Sequence, residues 1–185
     1  FELTLNSSDK INCNFLINAS GLYTEEVANK IEDINLPKIK TVMYAKGHYY
    51  LYKKKNPFKH LIYPLPNSNG HGIHAGMDIE NNLRFGPNAK WVESIEYSFD
   101  ENTLDEFCNS IKSYWINFDP SCLSPDYTGI RSKIVAEDEG GQDFEILDAS
   151  DHGLENLIHL QGIDSPGLTS SLSIAGEVIS KLGIH

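Results

Sequence analysis

The residues best suited to chemistry form the run Gly162-Ile-Asp-Ser-Pro-Gly-Leu-Thr-Ser-Ser-Leu-Ser-Ile-Ala175, a glycine-rich turn that opens a helix. Pro166 suits a first helical turn because its missing N–H would be unpaired there, and Gly167 lets backbone approach a ligand with no Cβ in the way. Free N–H groups at such a helix start face whatever lies ahead, and the helix dipole favours negative charge there. An ordinary solvated Ser/Thr cap is the plainer alternative, and local pattern alone leaves both open. Two arginines occur in the whole chain, Arg84 and Arg131. A guanidinium can grip a carboxylate with two parallel N–H donors, or serve in a structural ion pair. His71 and His74 fail as a metal pair on a strand, because positions three apart point to opposite faces; no metal is expected.

These groups sit in an ordinary globular chain of 185 residues, 40% hydrophobic and 22% charged, long enough to bury a core. Its net charge of −11 argues against nucleic acid, which needs clustered Lys/Arg to release counterions. Lys53-Lys54-Lys55 reads as a solvated turn. Cys13, Cys108 and Cys122 are an odd number without CxxC spacing, so neither a disulfide framework nor a zinc site follows. No apolar run reaches the length of a bilayer-spanning helix, and no signal peptide is visible. The location expected is cytoplasmic or peripheral to a membrane. Strand-like alternation from Phe1, with no initiating Met, reads as a chain that begins inside an element of a longer protein.

The elements that must position the chemistry alternate in texture. Residues 1–5 and 13–18 read as two strands paired in a hairpin, followed by a turn through Gly21 and a helix over about 23–33. Short apolar or aromatic runs at 41–52, 61–64, 72–77 and 83–85 form a β-rich middle. Leu104, Phe107, Cys108 and Ile111 recur at helical spacing over 102–115. Further strands are predicted at 128–135, 143–147 and 157–161, the last feeding the glycine turn. Leu168, Leu172, Ile174, Ala175, Val178, Ile179 and Leu182 then recur at helical spacing. A β-then-α start, a β-rich middle and a closing β-turn-α look like an insertion into a nucleotide-binding domain.

The ordered set FLINASGLYTEEVA (15–28), KGHYY (46–50), LIYPLP (61–66), GIHAGMD (72–78), RFGPNAKWV (84–92), PDYTGIRSKI (125–134), Asp143-Phe144 and HLQGIDSPGLTSSLSIA (159–175) resembles the C-terminal half of flavoproteins of the D-amino-acid oxidase superfamily, in the branch of glycine oxidases and L-2-hydroxyglutarate dehydrogenases. The resemblance implies an α+β fold: a mixed, largely antiparallel substrate-binding sheet domain over 35–155, with returning fragments of a Rossmann-like FAD-binding domain at 1–34 and 156–185. The Gly-x-Gly-x-x-Gly fingerprint of such proteins is absent, which implies a half-protein whose partner is a missing N-terminal FAD-binding half. That chain alone would be inactive.

By the same resemblance FAD is the cofactor, faced by Ala19 and Gly21 and by the turn residues Gly162, Ser165, Pro166, Gly167, Leu168 and Thr169. The substrate is a small carboxylate, with Arg131 on the carboxylate; an ion pair is the structural alternative. Ser132 stands where the family usually has Pro, which loosens the backbone of Arg131. Oxidising a hydroxy acid needs a base for the hydroxyl proton, for which His74 and His48 are the candidates. For His74 a hydrogen-bonded structural histidine weighs equally, and Ala75-Gly76 replaces the Leu-Thr often found beside it. Tyr127 is a further substrate contact, whereas Tyr49, Tyr50 and Tyr63 fit a strand core as well as a pocket wall. The activity implied is oxidation of a 2-hydroxy acid such as L-2-hydroxyglutarate by hydride transfer to flavin. An amine or amino-acid oxidase and a non-catalytic binding module are the alternatives.

Overall fold

A computed structural model describes residues 1–6, 8–65, 72–134 and 143–184. They divide into two units, one of Phe1–Tyr44 with Arg131–His185 and one of Ala45–Ile130.

In the first unit β1 (Glu2–Thr4) pairs antiparallel with β2 (Lys10–Asn12), Leu3 opposite Ile11. The hairpin is thus closed by 10–12 and not by 13–18. Bonds from Ser8 N–H to Leu5 O and from Leu5 N–H to Asp9 O, with Ser8 at φ 66°, tighten the turn and bring the return strand forward. The residues thereby released form β3 (Leu16–Asn18), which lies parallel to β10 (Leu157–Gln161). The other edge of β10 pairs antiparallel with β9 (Glu145–Leu147). All five residues of β10 are buried, so its sequence LIHLQ lacks the alternation of a half-exposed strand.

Helix α1 (Thr24–Ala28) is shorter than the 23–33 expected. After it, Lys30 N–H and Ile31 N–H bond three residues back, and Asp33 turns left-handed at φ 62°. The short helix α3 (Ala149–His152) has a capping box between Asp148 and Asp151 and stops at Gly153 in the αL region. Helix α4 (Ser171–Lys181) puts Ile174, Val178 and Leu182, spaced four apart, against Ile146, Ile158, Leu160 and Ile163. Burying side chains of this size stabilises by roughly 1.5–3 kcal/mol each, which anchors the turn that leads into the helix.

The second unit is built on β4 (Met43–Tyr52), which pairs with β6 (Leu83–Phe85), β7 (Lys90–Val92) and β8 (Leu123–Lys133). Strand β5 (Ala75–Met77) extends the sheet beyond β6, Gly76 opposite Arg84. Helix α2 (Leu104–Lys112) follows a turn whose Asp100 carboxylate accepts Asn102 N–H, and it buries Phe107, Cys108 and Ile111 with Tyr50, Tyr52, Phe85 and Phe118. The three cysteines are free thiols, Cys108 buried and Cys13 and Cys122 half-buried. The fold is α+β with mixed, largely antiparallel sheets. Among the described residues no helix is long and apolar enough to cross a membrane.

Candidate functional site

In the first unit the end of β8 lies against both glycine turns singled out by the sequence. Ser132, 4% exposed, donates its hydroxyl to Gly21 O at 3.4 Å. Lys133 pairs with Asp164 at 2.5 Å. A Cβ on Gly162 would stand 2.7 Å from Ile134 Cδ1. Three successive residues after the half-buried Arg131 thus tie its strand to loop 18–21 and to the start of turn 162–167. The departure from Pro at 132 has a consequence here, since proline has no hydroxyl to hold Gly21.

The turn differs from the helix start expected of it. Helix α4 begins at Ser171, so Pro166 lies in the turn ahead of it and not in a first helical turn; the Ser165–Pro166 peptide is cis. The bare Cα of Gly167 is required by the turn itself, for a Cβ there would meet Asp164 O and Ile163 Cγ2 at 2.6 Å. Its N–H is bonded to Asp164 O, Ser170 N–H to Pro166 O and Ser171 N–H to Leu168 O. The N–H groups of Leu168 and Thr169 take no part in these turn bonds. Gly21 is the contrasting case, at φ 60° with nothing within 4 Å of where a Cβ would be.

Asn18 shapes the loop that contains Ala19 and Gly21. Its amide nitrogen donates to Thr24 O at 2.9 Å and lies 3.0 Å from His159 Nδ1, while its oxygen accepts from Ser20 Oγ at 2.6 Å and Ser20 N–H at 3.3 Å. Thr24, wholly buried, donates in turn to Leu160 O. His159 escaped the sequence reading, although a histidine two residues before a glutamine in a fully buried strand was a signal. Gln161 bonds Lys40 N–H, Lys38 O and Glu145, and Glu145 also pairs with Lys40 Nζ. Burial pushes His159 below the ordinary imidazole range, the Gln161 side chain offsets this in part, and His152 adds to the depression.

In the second unit His48 is 1% exposed, its ring edge-on to Phe99 and its Nδ1 3.0 Å from Asn88 Oδ1. Asn88 Oδ1 also accepts His48 N–H, and Asn88 Nδ2 donates to Glu106. The structure therefore places His48 in the core beside α2. His74 is half-buried with its ring 4.2 Å from that of Tyr63. His71 lies outside the described residues. Tyr127 stacks on Tyr49 at 4.5 Å; burial raises its phenol pKa, with Arg84 lowering it and Asp126 raising it. Arg84 is held by Asp78 and, at 2.5 Å, by Asp126, a structural ion-pair arrangement. Asn82 and other donors, Arg84 among them, bring the Asp78 carboxyl down to about 2. Asp126 carried no sequence argument, because the pairing depends on strands 42 residues apart. No cluster of three or more metal-ligating side chains occurs among the described residues.

The end of β8 thus gathers loop 18–21 and turn 162–167 beside Arg131. The chain belongs to the FAD dependent oxidoreductase (DAO) family, whose model matches residues 3–182. It is 31% identical over 180 residues to the mitochondrial L-2-hydroxyglutarate dehydrogenase of Arabidopsis thaliana, covering 91% of this chain and 37% of that protein. It is 26% identical to the glycerol 3-phosphate dehydrogenase of Caloramator mitchellensis, covering 96% of this chain and 35% of that one. The chain thus spans little more than a third of these relatives' length. In fold it is similar to the dithionite-reduced L-alpha-glycerophosphate oxidase from Mycoplasma pneumoniae with FAD bound, with a TM-score of 0.71 at 19% identity over 91% of this chain and 42% of that chain.

These matches correct one expectation. A C-terminal half alone, partnered by a missing N-terminal FAD-binding half, is not supported, because the family pattern runs through residues 3–182 and the fold likeness covers 91% of the chain.

Proposed function

We propose that this FAD-dependent oxidoreductase oxidises a small 2-hydroxy acid such as L-2-hydroxyglutarate to the 2-oxo acid. The supporting observation is the assembly in the first unit, where the strand end after Arg131 is bonded to loop 18–21 and packed on turn 162–167. The residues fit the flavin. Gly21 leaves open backbone for a close approach, and the N–H groups of Leu168 and Thr169, outside the turn's own bonds, suit a group that gains negative charge on reduction. Ala19, Gly162, Ser165, Pro166 and Gly167 complete these two surfaces. Bound FAD supplies the acceptor for the hydride leaving the substrate α-carbon.

The chain's own part is recognition and proton handling. Arg131 binds the substrate carboxylate through paired N–H donors. His74, half-buried, takes the hydroxyl proton as the α C–H bond is oxidised. Tyr127 orients the substrate by its hydroxyl. His48 contributes through the packing of β4, given its burial. The two named relatives act, by their names, on a 2-hydroxy acid and on a glycerol phosphate, both alcohols, which supports oxidation of an alcohol over that of an amine; the first supports the 2-hydroxy acid.

The test is a flavin and substrate assay. Protein incubated with FAD and then freed of unbound flavin by gel filtration should keep absorbance near ~450 nm and turn over 2-hydroxyglutarate. Arg131→Ala should raise KM about 10- to 100-fold, the loss of charge-assisted bonds to a carboxylate, with flavin content intact. A variant that loses flavin and keeps KM would refute the carboxylate role.

A further inference from the structure

Loop 18–21 must leave β3 and turn through Gly21 before α1 begins, and Asn18 directs that course. Its amide has two N–H donors and two acceptor positions, and all four are engaged. Thr24 O can only accept and Ser20 N–H can only donate, so the amide has one orientation, with its NH₂ toward His159. The Nδ1 of His159 is therefore an acceptor and carries no proton. His159 is 0% and Asn18 3% exposed, so water does not compete for either.

We propose that His159, acting through Asn18, is a positioning residue for the cofactor-facing loop: its bare Nδ1 holds the Asn18 amide in the one orientation that fixes Ser20 and the backbone entering Gly21. The proposal rests on the reading of this loop as a flavin surface. A proton on Nδ1 sets N–H against N–H, the amide must swing, and Ser20 loses both bonds. The titratable and charged groups facing His159 are few. From α3 there is His152, also wholly buried; on β9 Leu147 lies opposite His159, while Glu145 lies opposite Gln161 and is bonded to it and to Lys40 Nζ. From β3 and α1 the neighbours are Asn18 and Thr24, both uncharged. Nothing in this set rewards a charged imidazole as a close carboxylate partner would.

Two variants separate the role from bulk packing. His159→Asn places an amide oxygen where Nδ1 stands and keeps the acceptor; His159→Leu removes it. Hydrogen exchange of the Ser20 amide, read by NMR as a protection factor, should fall about tenfold in His159→Leu and stay within about threefold of wild type in His159→Asn. The Kd for FAD, from flavin fluorescence, should follow the same order. Unchanged protection in His159→Leu, or equal loss in both variants, overturns the proposal. Should His159→Leu not fold, wild type supplies the second arm: Ser20 protection must drop as His159 titrates with acid, and constant protection through that titration overturns it as well. If wild type binds no FAD while the protection pattern holds, the cofactor reading fails and the positioning role stands.

Discussion

Gly162 offers a sharp test of why this turn is rich in glycine. At φ 70° an alanine suffers the left-handed penalty, about 1–2 kcal/mol. Its Cβ also meets Ile134 Cδ1 at 2.7 Å and Cγ1 at 2.8 Å, an overpacking cost of about 1–3 kcal/mol. Gly162→Ala should therefore destabilise by about 2–5 kcal/mol. Ile134→Ala, at a side chain 7% exposed, should cost about 2–4 kcal/mol by itself. It also vacates the space that the new Cβ needs. The double variant should then be less destabilised than the sum by about 1–3 kcal/mol, because the left-handed term persists and the steric term disappears. Urea unfolding followed by far-UV circular dichroism measures all four proteins, provided the slope m is shared. Additivity within about 0.5 kcal/mol would refute the reasoning and return Gly162 to the role of a backbone bared for a ligand.

Further outcomes follow from burial and charge. The unfolded chain protonates His159 at its ordinary value of 6.5, and the native protein only at lower pH, so stability is full above about 6.5 and declines as pH falls below it. A thermal or urea series from pH 8 to 5 should show this, with a slope from this imidazole no steeper than about 1.4 kcal/mol per pH unit, and the decline should vanish in His159→Asn. Leu168 and Leu172 are 92% and 88% exposed, so Leu168→Ser and Leu172→Ser should leave unfolding within about 0.5 kcal/mol of wild type.

How legible the sequence was varies with how local the cause is. Strands 83–85 and 157–161 are where β-branched and aromatic runs end at turn residues, and the structure has them at those bounds. The hairpin partner was misjudged because both 10–12 and 13–18 can form strands; the choice is made by the tight turn at Ser8 and by β10, about 140 residues away, claiming 16–18. Helical spacing from Leu168 suggested a helix that includes the turn, but the bonds within 164–170 delay it to Ser171. The glycines 21, 162 and 167 are read from sequence as backbone bared for a ligand; of the three, Gly21 opens to free space, whereas Gly162 and Gly167 make room for neighbours that one chain position cannot reveal. His48 looked like a site residue by type, and its burial beside Phe99 and Asn88 depends on tertiary packing.

The parallel pairing of β3 with β10 has a consequence for biosynthesis. Residues 45–130 form a unit continuous in sequence, whereas the other unit is made of two segments separated in sequence by it. At ~5–20 residues per second, the gap between Asn18 and Leu157 leaves β3 waiting roughly 7–28 s for its only sheet neighbour among the described residues. During that interval the backbone N–H and C=O groups of Leu16–Asn18 have no partner strand. An unpaired strand edge is a template for pairing with other chains, and that exposure ends when Leu157–Gln161 emerges and closes the sheet.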